Sequence, residues 1–561
     1  MPSPSEGKGV KKVFPFQLVR GRHAPLCLLL ACSAILYFRS LSGGFVFDDR
    51  VYFLDNDILP RLGLLDLRTI FLYPTNYFGE LLPVRDFLYV LQYRAFGTEP
   101  AGYHAVSIVL YALTVVVVYG VCLAVFTIAG ADGRSQQDGP VSTSFSALLV
   151  SAFFAVHPAH VESVANIAGQ KDILFALFSL LAVYVLLRGS DRPDGLSRRH
   201  SALLVACYYL AFLSKRTAVA DALFIPIVWF LFARKGEGIK KPLVFWVIVT
   251  IPAALWILYT IDVSSAIDGG RLELMSPAGA VKAVRIIGAH MQVAFSPFLR
   301  NFGYPFVESA LFDRNFWIGL LAVSLGAVAV WRRRRLEIWA SALIFCYLLP
   351  VLQIFGPLGN ESVYDRYLFV PVLGLGILFE RLFTALAGYG RMVKAAYGVA
   401  IVVLTSLAAA TYAYIPNFHD DVTASANACR KFPEWRSAPF HYAYALIEAG
   451  RLDDALAFAR SEKTFDQPPW VRDYFIGWIL LEKGQGDEAT RILELASASA
   501  SSGGYFPFPN VPLGRALIHA GRFDDARAVL QYVISTKSNQ PLELYRARRL
   551  MEMIPAAAHD R

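Results

Sequence analysis

The stretch Leu26–Arg50 reads "LCLLLACSAILYFRSLSGGFVFDDR". Its first half is apolar enough to lie in a bilayer, and its second half places Asp48, Asp49 and Arg50 just beyond that run. A chain that carries two adjacent carboxylates at a membrane surface has a use for them there, or a solvated turn. Which of the two applies depends on the remaining sequence.

Over 561 residues, 56% are hydrophobic and only 17% charged, with a mean hydropathy of +0.45. A soluble domain of this size rarely has that composition, whereas repeated apolar runs of about 17–25 residues mark membrane-spanning helices. Eleven such runs are read, near 24–40, 102–128, 144–157, 172–188, 201–213, 217–233, 243–261, 315–331, 336–354, 366–386 and 394–414. The basic N-terminus (Lys8, Lys11, Lys12, Arg20, Arg22) and the first run are read as a cytoplasmic segment, 1–23, and a retained anchor. The run continues into Tyr37-Phe38 with no clear A-x-A cleavage site. Six cysteines form neither a disulfide framework nor a metal cluster, because five lie in apolar runs and Cys429 stands alone.

Short basic loops set orientation. Clusters at the N-terminus, 188–200, 234–241, "RRRR" 332–335 and 388–394 all fall on the cytoplasmic side if the segment 281–298 does not cross alone. That segment carries Lys282, Arg285 and His290, and is read as re-entrant, interfacial or paired with a second crossing. The polar, motif-like segments then gather on the opposite face: "FDDR", "HPAHVE", "GQKD", "LSKR", "RIIGAH" and "NESVYDRY". A permease places polar groups near mid-membrane. Clustering at helix ends on one face favours a surface cavity that does chemistry.

After about residue 415 the chain turns polar. "EAGRLDDALAFA" (448–459), "EKGQGDEATRIL" (482–493) and "HAGRFDDARAVL" (519–530) align with one another, and Ala455 and Ala489 lie at the tetratricopeptide (TPR) period. The expected fold is all-α: a polytopic helical membrane module over 24–414, with an external loop 42–100, followed by a soluble TPR α-solenoid over 415–561 that offers a concave binding surface.

Within the external set, Asp48 or Asp49 is the candidate base for an acceptor hydroxyl, its pKa tuned by burial and neighbouring charge. Glu162 is a second carboxylate or a helper. Lys215 and Arg216 either snorkel to headgroups or clamp a phosphate, with Arg285, His290 and Arg366 as partners in the clamp. His157 and His160 have no third His or Cys nearby, which argues against zinc. Lys171 and Asp172 are read as pairing with each other at the interface or helping to position substrate. Arg85, His157, His160 and Asp365 complete the positioning set. Nothing requires a cofactor, although paired acids suit Mg or Mn. No nucleic-acid partner is read.

The ordered set "F-x-F-D-D", "HPAHVESVANIAGQKDILFALF", "LAFLSKRTAV", "YDRYLFVP" and TPRs resembles the transmembrane-and-TPR O-mannosyltransferase-like (TMTC) family, within the GT-C superfamily of polytopic glycosyltransferases. The resemblance runs through nearly the whole chain. It implies transfer of a sugar from a polyprenyl-phosphate donor to a protein hydroxyl on the lumenal or periplasmic side, with inversion, and matches the family's acidic pair to Asp48 and Asp49. It implies contact with membrane lipids and a protein acceptor held by the TPRs. The chain departs from the family at Ser214-Lys215-Arg216 (often Ser-Lys-Glu) and Asp365-Arg366 (often Glu-Arg), and its TPR array is short. An Ala/Gly/Arg-rich composition points to a bacterial inner membrane with periplasmic TPRs, or to the ER membrane with lumenal TPRs if the chain is eukaryotic. Two other readings are a glycosyltransferase acting on a glycolipid or polysaccharide, and a non-catalytic membrane scaffold built around the TPRs.

Overall fold

The computed structural model describes residues 24–76, 80–131, 141–190, 196–232, 244–255, 277–304, 312–352, 363–433, 435, 437–461, 468–502, 510–535 and 541–555. Among them every regular element is helical, and the one β contact is an isolated bridge between Tyr304 and Val363.

The first half of the membrane module comprises α1 (Ala24–Tyr37), the loop helix α2 (Pro83–Phe96), α3 (Pro100–Ala131), α4 (Thr143–Val156), α5 (Gln170–Ser190), α6 (Arg198–Ser214), α7 (Asp221–Phe232) and α8 (Val244–Leu255). The second half comprises α9 (Pro277–Ala294), α10 (Arg314–Trp331), α11 (Arg335–Leu348), α12 (Pro371–Gly388) and α13 (Val393–Tyr414). All eleven expected spans fall on helices. Among the described residues, six helical stretches are long and apolar enough to cross a bilayer, and a seventh qualifies if α4 and the turn Pro158–Ala165, bent by 52°, count as one. The count falls short of eleven because α6, α7 and α11 have 17, 12 and 14 residues and the described part of α8 is only Val244–Leu255. At 1.5 Å per residue the shortest reaches only about 18 Å of a hydrocarbon core about 30 Å thick.

The doubtful segment 281–298 is largely the helix α9, packed along α10. Gly288 and Gly319 make the closest approach: a Cβ on Gly288 would stand 1.7 Å from the Asn315 carbonyl oxygen, and one on Gly319 1.9 Å from that of Val284. Small residues let helix backbones meet in this way in membranes.

A short helix α14 (Asp421–Lys431) leads into the soluble part. Three antiparallel pairs follow: α15 (Ser437–Glu448) with α16 (Leu452–Arg460), α17 (Pro469–Glu482) with α18 (Gly486–Ser502), and α19 (Asn510–His519) with α20 (Phe523–Ser535). The helix α21 (Pro541–Met553) closes the stack. Gly450, Gly484 and Gly521 sit at the turn inside each pair with φ of +69°, +77° and +72°. This left-handed stop is open to glycine without Cβ strain, which explains the recurring Gly of the three aligned motifs. Ala455, Ala489 and Ala526, one per repeat, are fully buried at the helix contacts.

The α9–α10 contact yields a prediction. Gly288→Ala forces a Cβ into backbone that cannot retreat, and should cost at least roughly 1–3 kcal/mol. Gly398→Ala, whose Cβ meets nothing within 4 Å, should be neutral or slightly stabilising. Thermal unfolding in detergent compares the two, and equal midpoints would contradict the close crossing.

Candidate functional site

The site is assembled from connectors at one end of the membrane module. These are the loop after α1, the break between α4 and α5, the turn between α6 and α7, the end of α9 and the turn Asp365–Leu368 before α12. The two adjacent acids part company. Asp49 is fully buried. Its Oδ1 accepts the Ala168 N–H at 2.5 Å, and its Oδ2 accepts those of Val46 at 3.1 Å and Ile167 at 3.3 Å. Ile167 and Ala168 lie in the turn that opens α5, where unpaired N–H groups favour an acceptor. Burial pushes the Asp49 carboxyl up to about 8, against the pull of these three N–H groups and with a further push from Asp48. Asp48 is only partly buried, and its charge is felt by Arg366, Tyr52 and Asp49.

Lys215, Arg366 and His290 gather around the Tyr367 ring. The Arg366 guanidinium lies 4.0 Å from the Tyr364 ring centre and 5.7 Å from that of Tyr367. The Lys215 ammonium lies 5.5 Å from the Tyr367 ring centre, and the His290 ring 6.1 Å from it. Arg366 is fixed by Glu162, whose carboxylate accepts both its backbone N–H and its Nη1 at 2.8 Å. Lys215 is paired with Asp172. Arg216 is half-buried near Glu80 and Arg85; its Nε has no hydrogen-bond partner among the described residues. The same holds for His290 Nε2 and Asp172 Oδ2.

Several residues read as site members have other tasks here. Glu162, read as a catalytic carboxylate, is engaged by Arg366 at both oxygens. Lys171 and Asp172 do not pair with each other, because each is drawn to a partner from another segment. Lys171 instead reaches Glu80 at 3.7 Å, and Asp172 reaches Lys215. Arg285 is spent on Asp313 at 2.9 Å, away from the Tyr367 cluster. His160 is packed inside, with Nδ1 2.8 Å from the Tyr111 hydroxyl and Nε2 3.0 Å from the Phe369 carbonyl. His157 is buried and accepts the Ala159 N–H. Asp365 is buried against Arg300 at 2.7 Å and Tyr304 at 3.0 Å. Arg85 is buried between Asp86 and Glu80. Both Asp49 oxygens face backbone N–H groups. Among the described residues no three His, Cys, Asp or Glu side chains gather as ligands.

Sequence reasoning missed Glu80, Tyr52 and Arg300. Glu80 accepts the Tyr52 hydroxyl at 2.7 Å and pairs with Arg85, which joins loop, α2 and α5. A lone Glu in "YFGELLP" gives no periodic or motif signal. Tyr364 and Tyr367 were visible in "YDRY", but their role as a platform for the cations was not.

The tetratricopeptide repeat family pattern matches residues 440–461 and 511–531. The chain is similar to protein O-mannosyl-transferase F38B6.6 of Caenorhabditis elegans, 31% identical over 173 residues, covering 30% of this chain and 23% of that protein. It is similar to protein O-mannosyl-transferase Tmtc1 of Drosophila melanogaster, 31% over 212 residues, covering 36% and 22%. It is also similar to human protein O-mannosyl-transferase TMTC4, 33% over 168 residues, covering 28% and 22%. The chain thus spans less than a quarter of the length of each. A crystal structure of ArnT from Cupriavidus metallidurans bound to undecaprenyl phosphate aligns over 95% of this chain and 89% of its own, at 15% identity and a TM-score of 0.36.

The two acids predict two different phenotypes. Asp49→Ala strands three buried N–H donors and should cost roughly 1–3 kcal/mol or more. Asp48→Ala should leave stability within about 0.5 kcal/mol. The pH dependence follows from the raised Asp49 value. Stability contributed by this group is complete below its unfolded value near 4, and is lost as pH rises toward 8. Thermal midpoints in detergent from pH 5 to 8 should show that loss in the parent and a flatter profile in Asp49→Ala.

Proposed function

We propose that this chain is a membrane glycosyltransferase that moves a sugar from a polyprenyl-phosphate donor to a protein hydroxyl on the external face, with inversion. The observation that carries this reading is the division of the acid pair. Asp49 is locked onto the backbone, while Asp48 stays partly exposed and near enough to Arg366 for its charge to act on that guanidinium. The mannosyltransferase names of the similar proteins support the reaction class.

In the proposed reaction, Asp48 takes the proton of the acceptor hydroxyl as its oxygen bonds to the anomeric carbon. The bond from that carbon to the phosphate oxygen breaks on the opposite face, and its electron pair leaves with the lipid phosphate. Arg366, Lys215 and Arg216 stabilise the charge that develops there. Their present partners, Glu162 and Asp172, hold two of them in place, while Arg216 brings an Nε without a partner among the described residues. His290 Nε2 adds a further polar group beside Tyr367. The prenyl chain runs along an apolar cavity of about 570 Å³ that includes Met291, Phe295, Leu321, Ile344 and Leu375 in its lining. The soluble repeats hold the acceptor protein, placing them in the periplasm of a bacterium or in the ER lumen.

Asp48→Asn keeps the size of the side chain but cannot take a proton. With a lipid-phosphate sugar and an acceptor peptide, it should lower turnover by about a hundredfold or more. Arg216→Ala should weaken apparent donor affinity about ten- to a hundredfold, the scale of a charge-assisted contact of roughly 1.5–3 kcal/mol. Full activity of Asp48→Asn would defeat the base assignment. Label recovered in lipid and not in peptide would move the acceptor to a glycolipid.

A further inference from the structure

The soluble domain does more than follow the membrane module: it grips the loop that carries Asp48. Phe47, the residue just before Asp48, has φ of +49°. A bulky L residue stays in that conformation only where its surroundings impose it. Five contacts do so, and all involve residues far along the chain. The Phe47 N–H donates to Asp421 Oδ1 at 2.7 Å. The Phe47 ring packs against Phe302, with centres 4.3 Å apart, and His441 at 6.3 Å. The Gly44 N–H donates to the His419 carbonyl at 2.9 Å. Arg50, two residues after Asp48, pairs with Glu448 at 2.7 Å.

Asp421 opens α14, and Glu448 closes α15. Glu448 also lines a cavity of about 410 Å³ in the repeat domain, beside Tyr474, Trp478, Glu543 and Arg546. Arg546 in turn stands 3.8 Å from Asp55, further along the same loop. Two ion pairs, Glu448 with Arg50 and Arg546 with Asp55, therefore join the wall of the repeat cavity to the loop of the candidate base.

We propose that Asp421 is a positioning residue for Asp48. Its carboxylate fixes the Phe47 peptide, which sets the direction of the next side chain, and the Glu448–Arg50 pair clamps the far side of the turn. Asp421 touches neither donor nor acceptor; it acts through the backbone. The inference rests on the assignment of Asp48 as the base.

The test uses the full-length protein in detergent with a lipid-phosphate sugar and an acceptor peptide. Turnover, donor KM and thermal midpoint are measured for Asp421→Ala, Asp421→Asn, Glu448→Gln and Asp48→Asn. In Asp421→Ala, turnover should fall about tenfold or more, since small misplacements of a reacting group carry penalties of that order. Its donor KM should stay within about twofold, because the cation cluster is untouched. Asp421→Asn retains an oxygen that can accept the Phe47 N–H, and should keep more than about half of the turnover. Unchanged turnover in Asp421→Ala overturns the proposal, as does an Asp421→Asn variant that falls equally far. If Asp421→Ala does not fold, Glu448→Gln decides: a fall of about threefold or more supports the clamp, and unchanged turnover overturns it. Full activity in Asp48→Asn defeats the base assignment and this inference with it. An inactive Asp48→Asn beside an unaffected Asp421→Ala defeats the positioning alone.

Discussion

The arrangement depends on the three backbone N–H groups that meet Asp49. Two come from the turn that opens α5 and one from the loop's own residue Val46. They bind the loop after α1 to the break between α4 and α5, and so join segments more than a hundred residues apart. Neighbouring side chains in a turn cannot both follow the same direction. Seating Asp49 inward therefore leaves Asp48 on the accessible side. A single acid at this place would spend both oxygens on anchoring the loop. The pair leaves a second carboxylate free of that task.

The same economy governs the charges around it. Buried ions are tolerated when each meets an opposite partner with hydrogen bonds. Here the pairs link different segments: Glu162 with Arg366, Asp172 with Lys215, Glu80 with Arg85 and Lys171, Asp365 with Arg300. Each helix end at this face is thereby tied to another. The pairing also keeps Arg366 and Lys215 over the rings of Tyr364 and Tyr367 in fixed positions, so a phosphate approaching them would meet cations that need little rearrangement.

Hydropathy and repeat spacing exposed the architecture well, because burial in lipid and the αL glycine turn each leave a periodic trace. The eleven apolar runs all became helices, and the motif glycines fell at the turns between paired helices. The number of helices able to span was less legible, since connectors such as Arg216–Ala220 and Asp365–Leu368 shorten the helices that they border. The site was legible as a set of residue types on one face. Its pairing was not, because the partners are distant in sequence: Glu162 and Arg366 are joined only by folding, and so are Phe47 and Asp421. Local spacing suggested Lys171 with Asp172, whereas each is taken by a partner distant in sequence, Glu80 and Lys215. It likewise grouped His157 and His160 as positioning residues, whereas both are packed among aromatic rings.

The boundary near residue 415 marks a change of solvent more than a mechanical division. Phe302, from the connector after α9, packs on Trp435 at 5.0 Å and on His441 at 5.6 Å, and Tyr304 meets Phe432 at 5.6 Å. The connector that carries these rings also supplies Arg300 to Asp365, one residue before Arg366. The repeat domain thus touches both sides of the site. It reaches the acid through Phe47 and Arg50, and the cations through Phe302, Arg300 and Asp365. A membrane module cut at the hydropathy boundary would lose supports on both walls at once, even though every residue that faces the site lies before the cut. The loop that carries the acid pair lacks the two-sided packing of a core, and here the second side comes from the helices of the repeat domain.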